Sequence, residues 1–168
     1  MTRIAAELEA QIVASLPRLR RFARTLTRHV ADADDLVQIV IERALTKAEQ
    51  LRPDSSVLSW LFGIMRNAWI DETRSRQRRG RVFASSDRVE EVADAGASRD
   101  EDLWSIQAAM EQLNDEQRMA VGLVLVEGLS YKEAAAVMDI PIGTLTSRLA
   151  RARLTLEALL GGDTGVSR

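Results

Sequence analysis

The sequence predicts an all-α protein: two small helical domains joined by a flexible acidic linker. Three observations carry that expectation. Apolar residues recur at the 3.6-residue helical period over long stretches. Nine Gly and three Pro in 168 residues are too few to punctuate a series of short strands. Charge is laid unevenly along the chain: residues 1–84 carry 10 acids against 15 bases, residues 85–102 carry 7 against 2, and residues 103–168 carry 8 against 6. The overall net charge of −2 therefore conceals a basic front half suited to phosphates.

Composition excludes several classes. With no cysteine, neither a disulfide nor a thiolate zinc site is available. No apolar run approaches the ~20 residues that span a bilayer, and the N-terminus MTRIAAELEAQIV is unlike a secretory signal. A soluble cytoplasmic protein without membrane insertion is expected. The single histidine, His29, has no constellation around it, and no phosphate-cradling Gly loop, nucleophile elbow or metal-ligand spacing occurs. The reading is of a non-enzyme with no cofactor, no metal and no small-molecule substrate.

In chain order, Leu8, Ile12, Leu19, Phe22, Ala23 and Leu26 share one helical stripe, with Arg18, Arg20, Arg21, Arg24 and Arg28 on its outside. Pro17 interrupts this stretch, either as a kink or as the first turn of a second helix. The next helix is expected from Asp32 to about Gln50, its acidic opening (Asp32, Asp34, Asp35) matched to the positive end of the helix dipole. Leu36, Val37, Val40, Ile41, Ala44, Leu45 and Ala48 form its broad buried face; Asp35, Gln38, Ile39 and Glu42 lie opposite. RPDSSV, Arg52 to Val57, reads as a loop. The helix after it buries Leu61, Ile64, Met65 and Ala68, and projects Trp60, Asn67, Asp71 and Arg74 together. It ends in an arginine cluster, Arg74, Arg76, Arg78, Arg79 and Arg81. Trp69 borders the buried stripe and is expected in the core; for Trp60, core and nucleic-acid contact are equally open.

Residues 82–109, with Asp87, Glu90, Glu91, Asp94, Asp100, Glu101 and Asp102, read as the acidic linker. Beyond it, EGLSYKEAAAVMDIPIGTLTSRLARAR reads as helix-turn-helix. Ser130 and Glu133 form a capping box, and Ala134, Ala135 and Ala136 keep the first helix thin. Pro141 can begin a helix but not continue one, so the chain turns near Asp139 and Ile140. In the second helix Leu145, Leu149, Ala152 and Leu156 share one stripe, and Thr144, Ser147, Arg148 and Arg151 share another. This is the pattern whose second helix lies in the DNA major groove.

Two stretches resemble one family. GLSYKEAAAVMDIPIGTLTSRLARAR is similar to the C-terminal DNA-binding region of the bacterial extracytoplasmic-function sigma factors. ADDLVQIVIERAL, RPDSSVLSWLFGIMRNAWID and the arginine cluster resemble the promoter-melting domain of that family, in the same order. LPRLRRFARTL and VLVEGLSYKEAAAVM look like its alphaproteobacterial general-stress-response branch. The resemblance implies a region 2 bundle over 1–81, the linker 82–109, a region 4 helix-turn-helix over 110–160 and a flexible tail 161–168. It implies an alternative sigma factor that binds core RNA polymerase through the clamp helices of the largest subunit and the flap, directs promoter-specific initiation and is controlled by an anti-sigma factor. Asp34, Asp35, Gln38, Ile39 and Glu42 would meet the polymerase. Arg52, Pro53, Asp54, Ser55, Ser56, Trp60, Arg66, Asn67, Arg74, Arg76 and Arg78 would hold the opened −10 element of the promoter DNA. Thr144, Thr146, Ser147, Arg148, Arg151 and Arg153 would read the −35 duplex. The linker would thread a basic polymerase channel.

The chemistry fits these roles. An extruded base needs an aromatic platform beside a basic track, and a bidentate Arg on guanine supplies ~1–3 kcal/mol of discrimination. Two weak DNA sites on a tether also gain by effective concentration. Three positions depart from the family pattern: Ile39 where an acid is usual, Thr146 in place of Lys or Met, and Asp139 in place of a turn glycine, a position Asp tolerates. A sigma-like mimic that sequesters an anti-sigma factor and a plain helix-turn-helix repressor are the competing readings.

Overall fold

The computed structural model describes residues 2–82 and 101–161, and among these every regular element is helical. Helix α1 (Thr2–Leu26) runs unbroken through Pro17. Interior proline costs about 3 kcal/mol. Here the ring faces solvent while Leu8, Ile12, Leu19, Phe22 and Leu26 are buried on one stripe before and after it, and that burial offsets the lost hydrogen bond.

Helix α2 (Val30–Thr46) starts after His29, which occupies the N-cap in extended conformation without a side-chain cap bond, and a 3₁₀ turn follows at Ala48–Gln50. The helix is shorter than expected and its buried stripe narrower, being Ala33, Leu36, Val37, Val40 and Ala44. At about 100° per residue Leu45 falls roughly 130° from the centre of that stripe, and it is 50 % exposed rather than buried. Ile39 lies on the opposite flank and is half-buried against the core, not projecting as the helical wheel suggested.

Helix α3 (Val57–Val82) buries Leu61, Phe62, Ile64, Met65, Ala68 and Trp69 and packs on α1, α2 and the second half. Phe62 meets Phe22 edge to face at 5.1 Å and carries the Arg18 guanidinium over its ring at 5.9 Å.

The second half corrects the linker boundary. Glu101–Glu111 is helix α4, within the stretch read as acidic linker. Of its three acids, Glu101 and Asp102 open the helix and Glu111 closes it, so the charge in the sequence marked a helix start as much as a solvated strand. Residues 83–100, with most of the proposed linker, and 162–168 of the proposed tail lie outside the described residues.

Asn114 caps α5 (Asp115–Val121) with a reciprocal capping box to Gln117. The helix then widens into a π turn at Gly122–Val126, in which Glu127 N–H donates to the Gly122 carbonyl. Gly128, at φ 73°, turns the chain into α6 (Tyr131–Met138), and α7 (Ile142–Leu160) completes the fold.

The two halves are not separate bodies in this structure. Helix α1 packs on α5 and the π turn, α3 packs on α6, and one apolar core runs from Leu8 to Ala152. Gly122 is required at this junction, because a Cβ there would stand 2.9 Å from Phe22 Cε2 and 3.0 Å from Thr25 Cγ2.

Candidate nucleic-acid and polymerase interfaces

On α2 the spacing 34/35, 38, 42 sets Asp34, Asp35, Gln38 and Glu42 on the solvent face, all exposed. Gln38 Nε2 donates to Glu42 Oε1 at 3.4 Å. Leu45 continues this stripe one turn on, giving an acidic face that ends in an exposed apolar side chain. The face was legible in the sequence, but its leucine was not.

Arg52, Pro53, Asp54, Ser55 and Ser56 are all exposed in the loop before α3. Ser55 N–H donates to the Arg52 carbonyl at 3.0 Å, and the Ser56 hydroxyl accepts from Ser59 N at 3.3 Å, so the loop closes as a turn that caps the helix. Trp60 is half-buried against the core, so one part of its indole packs and the rest meets solvent. Asn67 and Arg74 are exposed, and Arg66 donates to Asn67 Oδ1 at 3.1 Å. Trp69 is buried, as its wheel position predicted.

The arginine run at the end of α3 is partly neutralised. Arg76 pairs with Glu72 at 2.9 Å and Asp32 at 3.5 Å, and the Glu72 hydrogen bond is the main cause of its raised pKa. Arg78 Nε donates to the Arg74 carbonyl at 3.4 Å and Arg79 to the Ser75 hydroxyl at 3.0 Å. Arg74 and Arg78 have no acidic partner within 4 Å among the described residues; Arg81 has no described side chain.

The helix-turn-helix is built by its caps. Ser130 and Glu133 form the expected box, with Ser130 N–H on Glu133 Oε2 at 2.8 Å and Glu133 N–H on the Ser130 hydroxyl at 3.2 Å. These bonds hold the Glu133 carboxyl below its ordinary pKa, the Ser130 backbone amide first among them. Asp139 takes the left-handed conformation at φ 53°, ψ 49°. Ile140 N–H then reaches the Ala135 carbonyl and Asp139 N–H that of Ala136, a Schellman motif with aspartate in the position usually given to glycine.

On α7, Leu145, Leu149 and Ala152 are buried against α5 and α6. Thr146, Ser147, Arg151 and Arg153 are exposed, whereas Thr144 is half-buried. The Thr146 and Ser147 hydroxyls bond back to the Ile142 and Thr144 carbonyls at 2.9 and 3.0 Å, which leaves their lone pairs and the helix face open. Arg148 is only 22 % exposed, because Glu116 of α5 holds its guanidinium at 3.0 Å. Arg148 and Glu116 also line a small cavity of about 90 Å³ with Arg66, Trp69 and Thr73 of α3. The sequence placed the two reading faces in separate domains on a tether; here a residue from each borders the same cavity.

Among the residues that escaped the sequence reading, three meet at one buried carboxylate. Arg18 and Arg21 were read as surface decoration, and Glu127 went unremarked. The Glu127 side chain is fully buried and accepts from Arg18 Nε at 2.9 Å and Arg21 Nε at 2.7 Å. The only local hint is an acid that ends an apolar run, VGLVLVEG.

Comparisons with known proteins fall on these same elements. Residues 12–79 match the family described as sigma-70 region 2, and residues 103–156 match sigma-70, region 4. The chain is 37% identical over 156 residues to the extracytoplasmic-function RNA polymerase sigma factor EcfG of Rhodopseudomonas palustris, covering 93% of this chain and 86% of that protein. It is 30% identical over 151 residues to the sigma-E factor of Escherichia coli K12, covering 82% and 79%. Among solved structures it resembles the sigma factor RpoE of Bartonella quintana, in complex there with the anti-sigma factor NepR. That match has TM-score 0.82, 34% identity, and covers 94% of this chain and 98% of that one.

Proposed function

This chain belongs to the extracytoplasmic-function sigma factors of RNA polymerase, and from that membership we propose how its own residues divide the work of promoter-directed initiation. The observation that carries the reading is the co-occurrence, in family order, of an exposed acidic face on α2, an exposed loop leading into the tryptophan- and arginine-bearing α3, and a capped helix-turn-helix whose outer face is Thr146, Ser147, Arg151 and Arg153.

Asp34, Asp35, Gln38 and Glu42 dock the chain on core polymerase. Ile39 packs inward at the edge of this face, so its departure from the family pattern removes a charge without adding an apolar anchor; the anchor is Leu45. Arg52 to Ser56, Trp60, Asn67, Arg74 and Arg78 hold the opened −10 strand, by stacking and phosphate contacts. Arg76 contributes least, since two carboxylates already share its charge. Thr146, Ser147, Arg151 and Arg153 meet the −35 duplex, with Arg148 joining them once Glu116 releases it. The chain acts in the cytoplasm and supplies no catalytic group of its own; nucleotide polymerisation is the partner's chemistry. An anti-sigma factor restrains it, a reading supported by the complex in which the RpoE relative was solved.

The test is promoter-directed transcription with purified core polymerase and this chain, with a footprint of the promoter. Protection at two sites about 25 base pairs apart and a specific transcript are expected. A chain that bound an anti-sigma factor yet gave no transcript with core polymerase would be a mimic, and one that bound duplex DNA equally well without polymerase would be a simple repressor.

A further inference from the structure

Helix α3 carries a glycine near the end of its second turn, Gly63, that packing does not require. Glycine inside a helix weakens folding about twofold to fivefold relative to alanine, so an interior glycine calls for a reason. Gly122 shows what a packing reason looks like, with Phe22 and Thr25 standing where its Cβ would be. Gly63 has no such neighbour. Among the described residues, a Cβ there would meet nothing within 4 Å outside its chain neighbours and the backbone of its own helix. Its backbone is ordinary α-helix, so conformation does not demand glycine either. The remaining use of a missing side chain is to let something outside the molecule come close to the backbone.

What surrounds Gly63 says what that something is. At about 100° per residue, Trp60, Asn67 and Arg74 fall roughly 60°, 40° and 20° from Gly63, all to one side, and Arg66 falls roughly 60° to the other. Gly63 itself is partly exposed. Trp60 and Asn67 stand roughly 10 Å apart along the axis, with bare backbone between them. Trp60 shows solvent the part of its indole that does not pack. The Asn67 Oδ1 already accepts from Arg66 at 3.1 Å, and its Nδ2 has no acceptor among the described residues, which leaves that donor for an incoming group. Asp71, at the edge of the stripe, is engaged by Arg43 at 3.1 Å and subtracts little from the charge of Arg66 and Arg74. An aromatic wall, a free amide donor and flanking guanidiniums around a bare floor suit an unpaired nucleobase, which stacks by its ring, bonds by its edge and carries a phosphate.

We propose that Gly63 is a contact residue of the −10 surface: its bare backbone is the floor of a bay in which one base of the opened strand lies against α3 between Trp60 and Asn67. The proposal rests on the promoter-directing reading above and adds to it a residue that the reading leaves out. A side chain at this position holds the ring off the helix. A gap of about 0.5–1 Å already forfeits about a quarter to a half of a dispersion contact, so even a methyl group is felt. The glycine thus trades helix stability for close approach, and the two effects of replacing it have opposite signs.

The experiment uses the full chain assembled with core polymerase and a fluorescent single strand carrying the −10 element that the footprint maps. Gly63→Ala is expected to raise the urea midpoint of the free chain by about 0.25–0.5 M, because a better helix former enters open space. It is nevertheless expected to weaken the holoenzyme's hold on the strand about threefold or more, and Gly63→Leu to weaken it about fivefold to 150-fold, the whole of one base–aromatic contact. Binding of the −35 duplex by the chain stays at the wild-type level in both. Strands with one abasic site, stepped through the element, then identify the base. At one position, removing the base is expected to cost the wild type about what leucine costs it, and to cost the leucine variant nothing further. Wild-type affinity in both variants, or a deficit that persists at every abasic position, overturns the role of Gly63. A lower urea midpoint for Gly63→Ala overturns it too, since the glycine would then have a packing reason. Wild-type holoenzyme without a −10 footprint overturns the promoter reading and this inference with it, whereas a footprinting wild type matched by both variants overturns this inference alone.

Discussion

Replacing Arg118 by Met tests the account of how the second half is held together. Arg118 is 8 % exposed and its guanidinium donates to four backbone carbonyls: Leu113 at 2.8 Å, Met110 at 3.1 Å, Leu26 at 3.2 Å and Glu111 at 3.4 Å. It thereby closes the α4–α5 turn and ties that turn to the end of α1. Burial lowers its pKa from the ordinary arginine value, and Asp115 at 3.7 Å returns part of that cost. Methionine keeps the aliphatic stem and removes the fork, leaving the buried Leu113 and Leu26 carbonyls without their donor. Each orphaned group costs about 1–3 kcal/mol. Relief of the guanidinium's desolvation offsets part of the sum, leaving a loss of about 2–4 kcal/mol. With a urea slope of about 2 kcal/mol per molar, the unfolding midpoint should fall by about 1–2 M at unchanged slope. Arg118→Lys, a point charge that reaches fewer carbonyls, should fall between the two. A Met variant within about 0.3 M of wild type, or a Lys variant indistinguishable from it, would show that the fork is not what organises this turn.

Opposite effects are expected from the two members of the Glu116–Arg148 pair. Glu116→Ala should tighten −35 duplex binding about twofold to fivefold, the worth of an exposed ion pair, whereas Arg148→Ala should weaken it by about 1–3 kcal/mol while core-polymerase association is kept; band-shift titrations in which both variants move the same way would refute the release of Arg148 from Glu116. Asp35→Arg should lower core-polymerase affinity by about tenfold or more without affecting −35 binding, because it reverses a charge on the docking face; unchanged affinity would remove α2 from that role. For Glu133, whose carboxyl is held low by Ser130, the stabilisation is complete above the ordinary carboxylate pKa of about 4.3 and is lost as pH falls through the lower folded value. An NMR titration should find the Glu133 midpoint depressed in the wild type, raised only in part in Ser130→Ala, which keeps the backbone N–H, and returned to the ordinary range in Ser130→Pro, which lacks it at a φ of −63° that proline adopts; a proline variant with the wild-type midpoint would mean the amide does not set it.

The local features were readable in the amino-acid order because their causes are local. The stripe of Leu145, Leu149 and Ala152 follows from helical period, the Ser130–Glu133 box from a four-residue signature, and the turn at Asp139 from the tolerance of aspartate for positive φ. Trp69 went to the core for the same reason. What escaped depends on chain pairs far apart in sequence. Glu127 and Arg18 are 109 positions apart, and nothing near either one announces the other. Helix α4 was hidden because acids at a helix start and acids in a solvated tether look alike until packing separates them. Leu45 and Ile39 exchanged environments because the buried stripe of α2 is narrower than its apolar composition implied. In each half the candidate nucleic-acid residues could be named, but not that one from each would border a common cavity.

The acidic side of α2 is exposed in a structure whose two halves pack on one apolar core. A genome offers on the order of 10⁶–10⁹ non-specific sites to any basic surface, and Arg74, Arg78, Arg151 and Arg153 stay exposed to them. The carboxylates of Asp34, Asp35 and Glu42 give the molecule a face that DNA repels, so its adsorption is oriented and leaves that acidic face free for another partner.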